Sequence, residues 1–331
     1  MKQKTFKAYE VREEKEKVFK GSVVEKHIDD LPSNDVLIKV HYSSINYKDA
    51  LSAKGNKGVT KNYPHTPGID AAGIVEESTD QSFKQGDKVI VTGYDLGMTT
   101  PGGFGEYISA NKEWIVKLPK GLSLEEAMMY GTAGLTAALS VSKLVNHGVT
   151  PSDGEILVTG GTGGVGSVAI SILSKLGYSV IASTGKASKK ELLTSLGAKD
   201  IILREELTAE TKRPLLRPRW AGIIDTVGGL SLVNGLKALK YEGCATCCGN
   251  VAGHTFLSSI YPFIIKGVTL YGIDSVEIKN KRKKEMWDYL ATNWNVVDKI
   301  ETSEVTIDGI DEKVDAILAG KHTGRTIIKH V

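Results

Sequence analysis

The sequence predicts an α/β chain in two parts: a doubly wound, six-stranded parallel sheet domain and a smaller, mostly β domain. Three observations carry this prediction. The apolar run Glu155-Ile-Leu-Val-Thr159 leads directly into a glycine-rich turn and then into a helical pattern. Strand-like segments then return at near-constant intervals with helix-length segments between them, the rhythm of right-handed βαβ units in one sheet. Residues 1–120 differ in character, with short alternating strands and many turns.

The glycine turn comes first because the second half of the chain is organised around it. Gly161, Gly163 and Gly166 fit G-x-G-x-x-G, with Thr162, Gly164 and Val165 completing the turn. Such a turn supplies a tight bend, a close approach of backbone N–H groups to a pyrophosphate, and close helix–strand packing, with the phosphates on the positive end of the helix. Val165, Val168, Ala169, Ile172, Leu173 and Leu176 recur at helical spacing, and Gly177 stands where a C-terminal cap belongs. The strands are expected at Ile156–Thr159, Tyr178–Ala182, Asp200–Leu203, Gly222–Thr226, Gly243–Cys247 and Val268–Tyr271. Together they make a complete dinucleotide-binding (Rossmann) sheet.

In chain order, Phe6–Val11 reads as a first strand and the charged run Arg12–Lys17 as a solvated hairpin tip. Val36, Ile38 and Val40 alternate with polar partners, as in a half-buried strand. Gly68–Glu76 and Asp87–Val91 are further strands. Ser123-Leu-Glu-Glu126 is a capping box that opens the helices leading into the sheet domain. Asn280–Asn293 reads as a helix whose Lys281–Lys284 run faces solvent. The helix Ile310–Leu318 and the strand Arg325–Lys329 are long enough to return to the first domain. The expected division is residues 1–122 with 297–331, and 123–296.

The 331 residues, 41% of them hydrophobic, suffice for two domains with their own cores. Lys plus Arg at 42 against Asp plus Glu at 39 leaves a formal charge of +3, which argues against a nucleic-acid footprint. No apolar run is long enough to span a bilayer and Met1–Lys7 lacks the apolar core of a signal peptide, so a cytoplasmic protein is expected. Cys244, Cys247 and Cys248 crowd one predicted strand, where the first two point to opposite faces. With no other cysteine to complete a structural zinc site, they read as small buried hydrophobes.

Ser44-Ile-Asn-Tyr-Lys-Asp-Ala-Leu51, Pro67-Gly-Ile-Asp-Ala-Ala-Gly73, Gly102-Gly-Phe-Gly-Glu-Tyr107, Gly131-Thr-Ala-Gly-Leu-Thr-Ala137 and Thr159–Gly166 occur in this order. Over essentially its whole length the chain resembles the medium-chain dehydrogenases/reductases. It is most similar to their zinc-free quinone oxidoreductase branch, and within it to the YhdH/YhfP type, which includes acryloyl-CoA reductases. The resemblance implies a GroES-like catalytic domain completed by the carboxy-terminal tail, an active site in the cleft between the domains, and a homodimer. It also implies that Tyr47, Asn250, Ser275 and Arg325 lie near the cofactor.

Departures from the zinc alcohol dehydrogenase pattern carry chemical meaning. Where those enzymes place a ligand cysteine and a Gly-His-Glu motif, this chain has Asn46 and Pro67-Gly-Ile-Asp70. Catalytic zinc needs about three protein ligands and one open position, so no metal is expected; His41 and His65 read as structural. After the second sheet strand, where an NAD-specific chain carries Asp or Glu for the ribose 2′-OH, this chain has Ser183-Thr-Gly-Lys186, and Arg204 follows the third strand. Lysine and hydroxyls suit a 2′-phosphate, which points to NADPH. The other reading of Lys186 is a residue that caps a surface turn.

The resemblance favours Asn46 and Asp49 for the chemistry, with Tyr47 as cofactor contact or proton donor. The alternative is that Asp49 caps the helix start at Ala50 and Asn46 ties down a turn. Thr92–Gly103 is either a mobile wall of the substrate pocket or an ordinary surface loop. The expected function is a zinc-free, NADPH-dependent reductase acting on a quinone, or on a C=C conjugated to a carbonyl in an enone or an enoyl-CoA. From another class, the alternative is a non-enzymic NADPH-binding protein of the same fold.

Overall fold

The computed structural model describes residues 4–331 and divides them into two compact units. The first comprises residues 4–132, Ser275–Ala291 and Glu301–Val331, and the second Ala133–Asp274 and Thr292–Ile300.

The second unit holds a six-stranded sheet with every neighbouring pair parallel. Its strand order is Asp200–Leu203, Ser179–Thr184, Glu155–Val158, Trp220–Asp225, Leu239–Cys247, Thr269–Gly272. The order reverses between Glu155–Val158 and Trp220–Asp225, so the carboxyl ends of those two strands open the crevice where such sheets bind ligands. Parallel strands covered on both faces need continuous apolar runs. Leu157, Ile181, Ile223, Leu236 and Leu239 accordingly form one buried cluster. Two of the strands start earlier than the sequence suggests, at Trp220 and Leu239, because they pair with each other there. Cys248 lies one residue beyond the end of its strand.

The first unit is mostly β. A seven-stranded sheet runs Thr302–Val305, Arg325–Lys329, Val36–Ser44, Asp70–Ser78, Lys88–Thr92, Ile115–Lys117, with Tyr107–Ala110 also paired to Val36–Ser44. The tail strand Arg325–Lys329 pairs antiparallel with Val36–Ser44, Ile327 lying opposite Ser44. Val36, Ile38 and Val40 face the core. Thr5–Lys15 and Val18–His27 form a separate hairpin.

Two expectations are corrected. Arg12–Lys15 belongs to the first hairpin strand, and the bend is confined to Glu16 and Lys17, whose φ is 61°. Lys283, expected to face solvent, is fully buried: its ammonium donates to Thr92 O (2.5 Å) and Val276 O (2.8 Å) and lies over the Tyr94 ring. A lysine can be buried when its ammonium is satisfied in this way. That contact and the packing of Trp287 on Tyr130 hold the helix Asn280–Ala291 in the first unit. The segment Thr92–Gly103 is tied to its neighbours at its far end and through Leu96. Gly102 N donates to Thr66 O and Gly103 N to Gly68 O, both at 2.8 Å, and Leu96 is fully buried.

The Ser123–Glu126 capping box forms with both of its hydrogen bonds. The helix it opens, Leu124–His147, is interrupted at Gly131, where φ is 51° and ψ −155°. Among the described residues, no helix is long and apolar enough to cross a membrane.

Candidate functional site

In the first unit, the end of the strand Val36–Ser44 and the start of the helix Tyr47–Ala53 deliver Ser44, Asn46 and Asp49 into one buried cluster. Asp49 accepts from Asn46 N (2.8 Å), Asn46 Nδ2 (3.2 Å) and Ile69 N (2.8 Å). The bond to Asn46 N is a helix-capping bond, so Asp49 does cap the helix. At its centre is Asp70, fully buried, accepting from Ser44 Oγ (2.6 Å), Asn46 Nδ2 (2.8 Å), Thr132 N (2.8 Å) and Thr132 Oγ1 (2.5 Å).

Arg325 closes the cluster from the tail strand. Its guanidinium donates to Asn46 Oδ1 (3.1 Å), Ser44 Oγ (2.9 Å) and Met129 O (3.2 Å), and approaches Asp70 Oδ2 at 3.9 Å. The break at Gly131 is part of the same construction. A Cβ there would collide with Asp70, Ser44 and Arg325, and the break turns Thr132 N toward Asp70.

Two carboxylates and one guanidinium are thus buried together. Burial first, and the neighbouring Asp70 charge second, push the Asp49 carboxyl up to about 7, against the N–H donors that favour its ionised form. Burial also lowers the Arg325 pKa, opposed by the two aspartates.

Two of the predicted residues, Asn46 and Arg325, meet in this cluster. Asn46 Oδ1 faces the arginine and Nδ2 faces two carboxylates. Arg325, expected near a cofactor, is 3% exposed and bound to Asn46. Tyr47, the first residue of the helix, is 38% exposed and is the member of the Asn46–Asp49 segment that presents a large side chain to solvent. Ser44, Asp70 and Thr132 were missed as site residues. An acid within the apolar run after Pro67, and Gly-Thr inside an apolar helical pattern, were the signals for Asp70 and Thr132.

In the second unit a pocket at the carboxyl ends of the strands is lined by Thr159, Gly160, Thr162, Ser183, Thr184, Gly185, Lys186, Arg204, Val227 and Ser231. The glycine turn bends at Gly160, with φ 62°, rather than at Gly161, whose N–H instead bonds Ser183 O (2.9 Å). Gly163 is the N-cap of the helix Gly164–Lys175, and a Cβ on Gly166 would run into Gly160 O. Gly164 and Val165 begin that helix, with their backbone at its positive end.

Arg204 lies across Gly185, where a Cβ would strike its guanidinium. Burial and the neighbouring cations Lys189 and Arg204 lower the Lys186 pKa. Hydroxyls of buried Ser183 and Thr184 complete this corner. A narrow backbone cradle with a helix N-terminus on one side and two cations and hydroxyls on the other fits the phosphates of a dinucleotide. Lys186 O also accepts from Lys189 N in a surface turn (2.9 Å). Asn250 is exposed beyond the strand Leu239–Cys247, and Ser275 is buried in the first unit.

Comparison with known proteins gives this arrangement a lineage. Residues 32–120 match the alcohol dehydrogenase GroES-like domain and residues 164–292 the zinc-binding dehydrogenase family. Acrylyl-CoA reductase AcuI of Ruegeria pomeroyi is 41% identical over 310 residues, covering 93% of this chain and 94% of that protein. The yhdH oxidoreductase of Salmonella enterica, solved in complex with NADP, is 40% identical with a TM-score of 0.94, covering 98% of this chain and 99% of that one. Bacillus subtilis yhfP, solved with NAD bound, is 40% identical with a TM-score of 0.95 and the same coverage. The chain belongs to the medium-chain dehydrogenase/reductase superfamily, in its YhdH/YhfP-type quinone oxidoreductase branch.

Within this superfamily the first unit is the GroES-like domain and the second the Rossmann-like domain. Despite the family's name, residues 164–292 include no metal-type cluster: among the described residues, no three His, Cys, Asp or Glu side chains come together to hold a metal ion. Burial lowers the pKa of His41 and of His65. It also pushes the Cys244 and Cys248 thiols up to about 12; of the three cysteines expected to be buried, Cys244 is, while Cys247 and Cys248 are partly exposed.

Proposed function

We propose that this oxidoreductase uses NADPH to reduce a C=C conjugated to a carbonyl, in an enone or an enoyl thioester such as acryloyl-CoA, or to reduce a quinone. The observation that carries the cofactor half is the cationic corner. Lys186 and Arg204 stand over Ser183–Gly185 beside the glycine turn, where an NAD-specific chain would place a carboxylate. NADP in the Salmonella relative supports the same reading, and NAD in the Bacillus relative is the competing one. The acyl-thioester half is supported by the acrylyl-CoA reductase relative.

Bound nicotinamide would supply the hydride. The glycine turn and helix start would hold the pyrophosphate, and Lys186, Arg204, Ser183 and Thr184 the 2′-phosphate. Thr162 and Asn250 fit contacts at the carboxyl ends of the strands, and Ser275 enters from the resemblance alone. In the first unit, Asn46 and Asp49 act as positioning residues that set the start of the helix, and Tyr47 is the donor to the carbonyl oxygen as negative charge develops there. We also propose a homodimer. In its support, Leu257, Ile260 and Ile264 are exposed apolar residues in the segment leading to the edge strand Thr269–Gly272.

The deciding experiment follows NADPH oxidation against acryloyl-CoA, crotonyl-CoA, simple enones and quinones, with product identification. A saturated thioester or ketone, or a hydroquinone, formed with one hydride equivalent from NADPH per product supports the reading. Tight NADPH binding with no turnover across the panel would favour a non-enzymic NADPH-binding protein instead. Light scattering tests the dimer.

A further inference from the structure

Asp225 is a fully buried carboxylate at the carboxyl end of the strand Trp220–Asp225, outside the set of residues lining the pocket. One oxygen accepts from Thr159 Oγ1 (2.8 Å) and the other from Gly228 N (2.7 Å). Thr159 directly follows the neighbouring strand Glu155–Val158, and its hydroxyl also accepts from Thr226 N (3.0 Å), while Thr226 Oγ1 donates back to Thr159 O (2.8 Å). These bonds join the two central strands at the point where the sheet order reverses.

They also fix two glycine bends. On one side is Gly160, whose left-handed bend follows Thr159 directly and whose missing Cβ leaves room for Thr226 Oγ1. On the other are Gly228 and Gly229, with φ of 74° and 59°. Thr159, Gly160, Val227 and Ser231, which belong to or flank these bends, all line the pocket. A carboxylate taken out of water is costly unless hydrogen-bonded. Here its partners are the hydroxyl and the backbone amide that give the two bends their shape.

We propose that Asp225 is a positioning residue for dinucleotide binding, holding the Thr159–Gly161 and Val227–Gly229 bends in register so that the glycine turn is preformed for a pyrophosphate. The inference rests on the NADPH reading above, because it assumes that the pocket takes a nicotinamide dinucleotide. Asp225 lies outside the cationic corner. Its loss therefore weakens NADPH and NADH by the same factor and leaves kcat at saturating cofactor near normal.

The test measures Kd for both cofactors by fluorescence, and kcat with the best acceptor found, in the unmodified protein, Asp225→Asn, Asp225→Ala and Thr226→Val. Asparagine can accept from Gly228 N but loses the bond from Thr159, so about a threefold rise in Kd is expected. Alanine leaves both partners unpaired and should raise Kd tenfold or more. Thr226→Val, which removes only the bond to Thr159 O, should give a few-fold rise even if the alanine variant does not fold. Unchanged Kd values in folded variants, a loss confined to kcat, or a loss selective for NADPH would each overturn the inference while leaving the NADPH reading intact. If the unmodified protein binds neither cofactor, both fall together.

Discussion

Arg325 Nη1 lies 3.1 Å from Asn46 Oδ1, so a residue of the final strand fixes the side-chain amide of the residue just before the helix beginning at Tyr47. That contact sets the amide's orientation, because the oxygen must face the guanidinium and the nitrogen must then face Asp49 and Asp70. The buried cluster is one cooperative unit, and its members are not interchangeable donors.

Removing the cation should therefore destabilise the protein strongly. Arg325→Met leaves Asp70 and Asp49 buried without a counter-charge, a situation that typically costs about 3–5 kcal/mol. Arg325→Lys keeps the charge but loses the planar fork that reaches Asn46, Ser44 and Met129, and should recover only part of the loss. Urea unfolding of the two variants and of the Arg325→Met/Asp70→Asn double variant checks this. The double variant should be more stable than the sum of the single losses. Additive losses would show that the two residues do not act as a pair.

Asp49 makes stability pH-dependent in an unusual direction. Its carboxyl is raised from 3.8 to about 7 in the folded state. Between those values the folded form holds a proton that the unfolded form has released. This group's contribution therefore falls as pH rises from about 4 to about 7, by at most about 4 kcal/mol. Asp49→Asn removes that dependence, so the stability of the variant relative to the unmodified protein should rise across the window. Denaturant unfolding at half-unit pH intervals reads the difference, and a flat difference would place the Asp49 pKa in the ordinary range.

How much of this was legible in the sequence follows from the range of the contacts. The parallel sheet could be read because each strand and its helix are encoded within one short segment, and the tail elements Ile310–Leu318 and Arg325–Lys329 stand where periodicity put them. The buried cluster could not, because Ser44, Asp70, Thr132 and Arg325 come from four distant segments and no local pattern links them. Lys283 misled for a related reason: a basic run looks solvated unless the carbonyls waiting for one of its members are known.

Turnover should be independent of metal. Where the zinc enzymes keep ligands, Asn46 Nδ2 and the Asp70 carboxylate bond each other, and Asp70 further accepts from Ser44 and Thr132. Those atoms are already engaged, and an isolated His41 or His65 does not make a tetrahedral set. Prolonged chelation should leave activity within error of the untreated enzyme, and elemental analysis should find no stoichiometric zinc. Chelator-sensitive turnover restored by zinc would refute the assignment.

Cofactor choice should follow the charge at Lys186. A charge-assisted hydrogen bond to the 2′-phosphate is worth about 1.5–3 kcal/mol, and each ~1.4 kcal/mol is tenfold in affinity. Lys186→Glu removes that bond and adds a repelling carboxylate beside Ser183–Gly185, so NADPH affinity should fall by roughly one to two orders of magnitude. NADH has no 2′-phosphate and should change by only a few-fold. Arg204→Gln tests the second cation separately, since its guanidinium lies across Gly185 on the other side of the corner. If both cations contact the same phosphate, the double variant should lose less NADPH affinity than the product of the single losses, because the first substitution already frees the phosphate to move. Fluorescence titration of the four proteins with both cofactors measures these affinities, and equal affinity for NADPH and NADH in the unmodified protein would sink the reading.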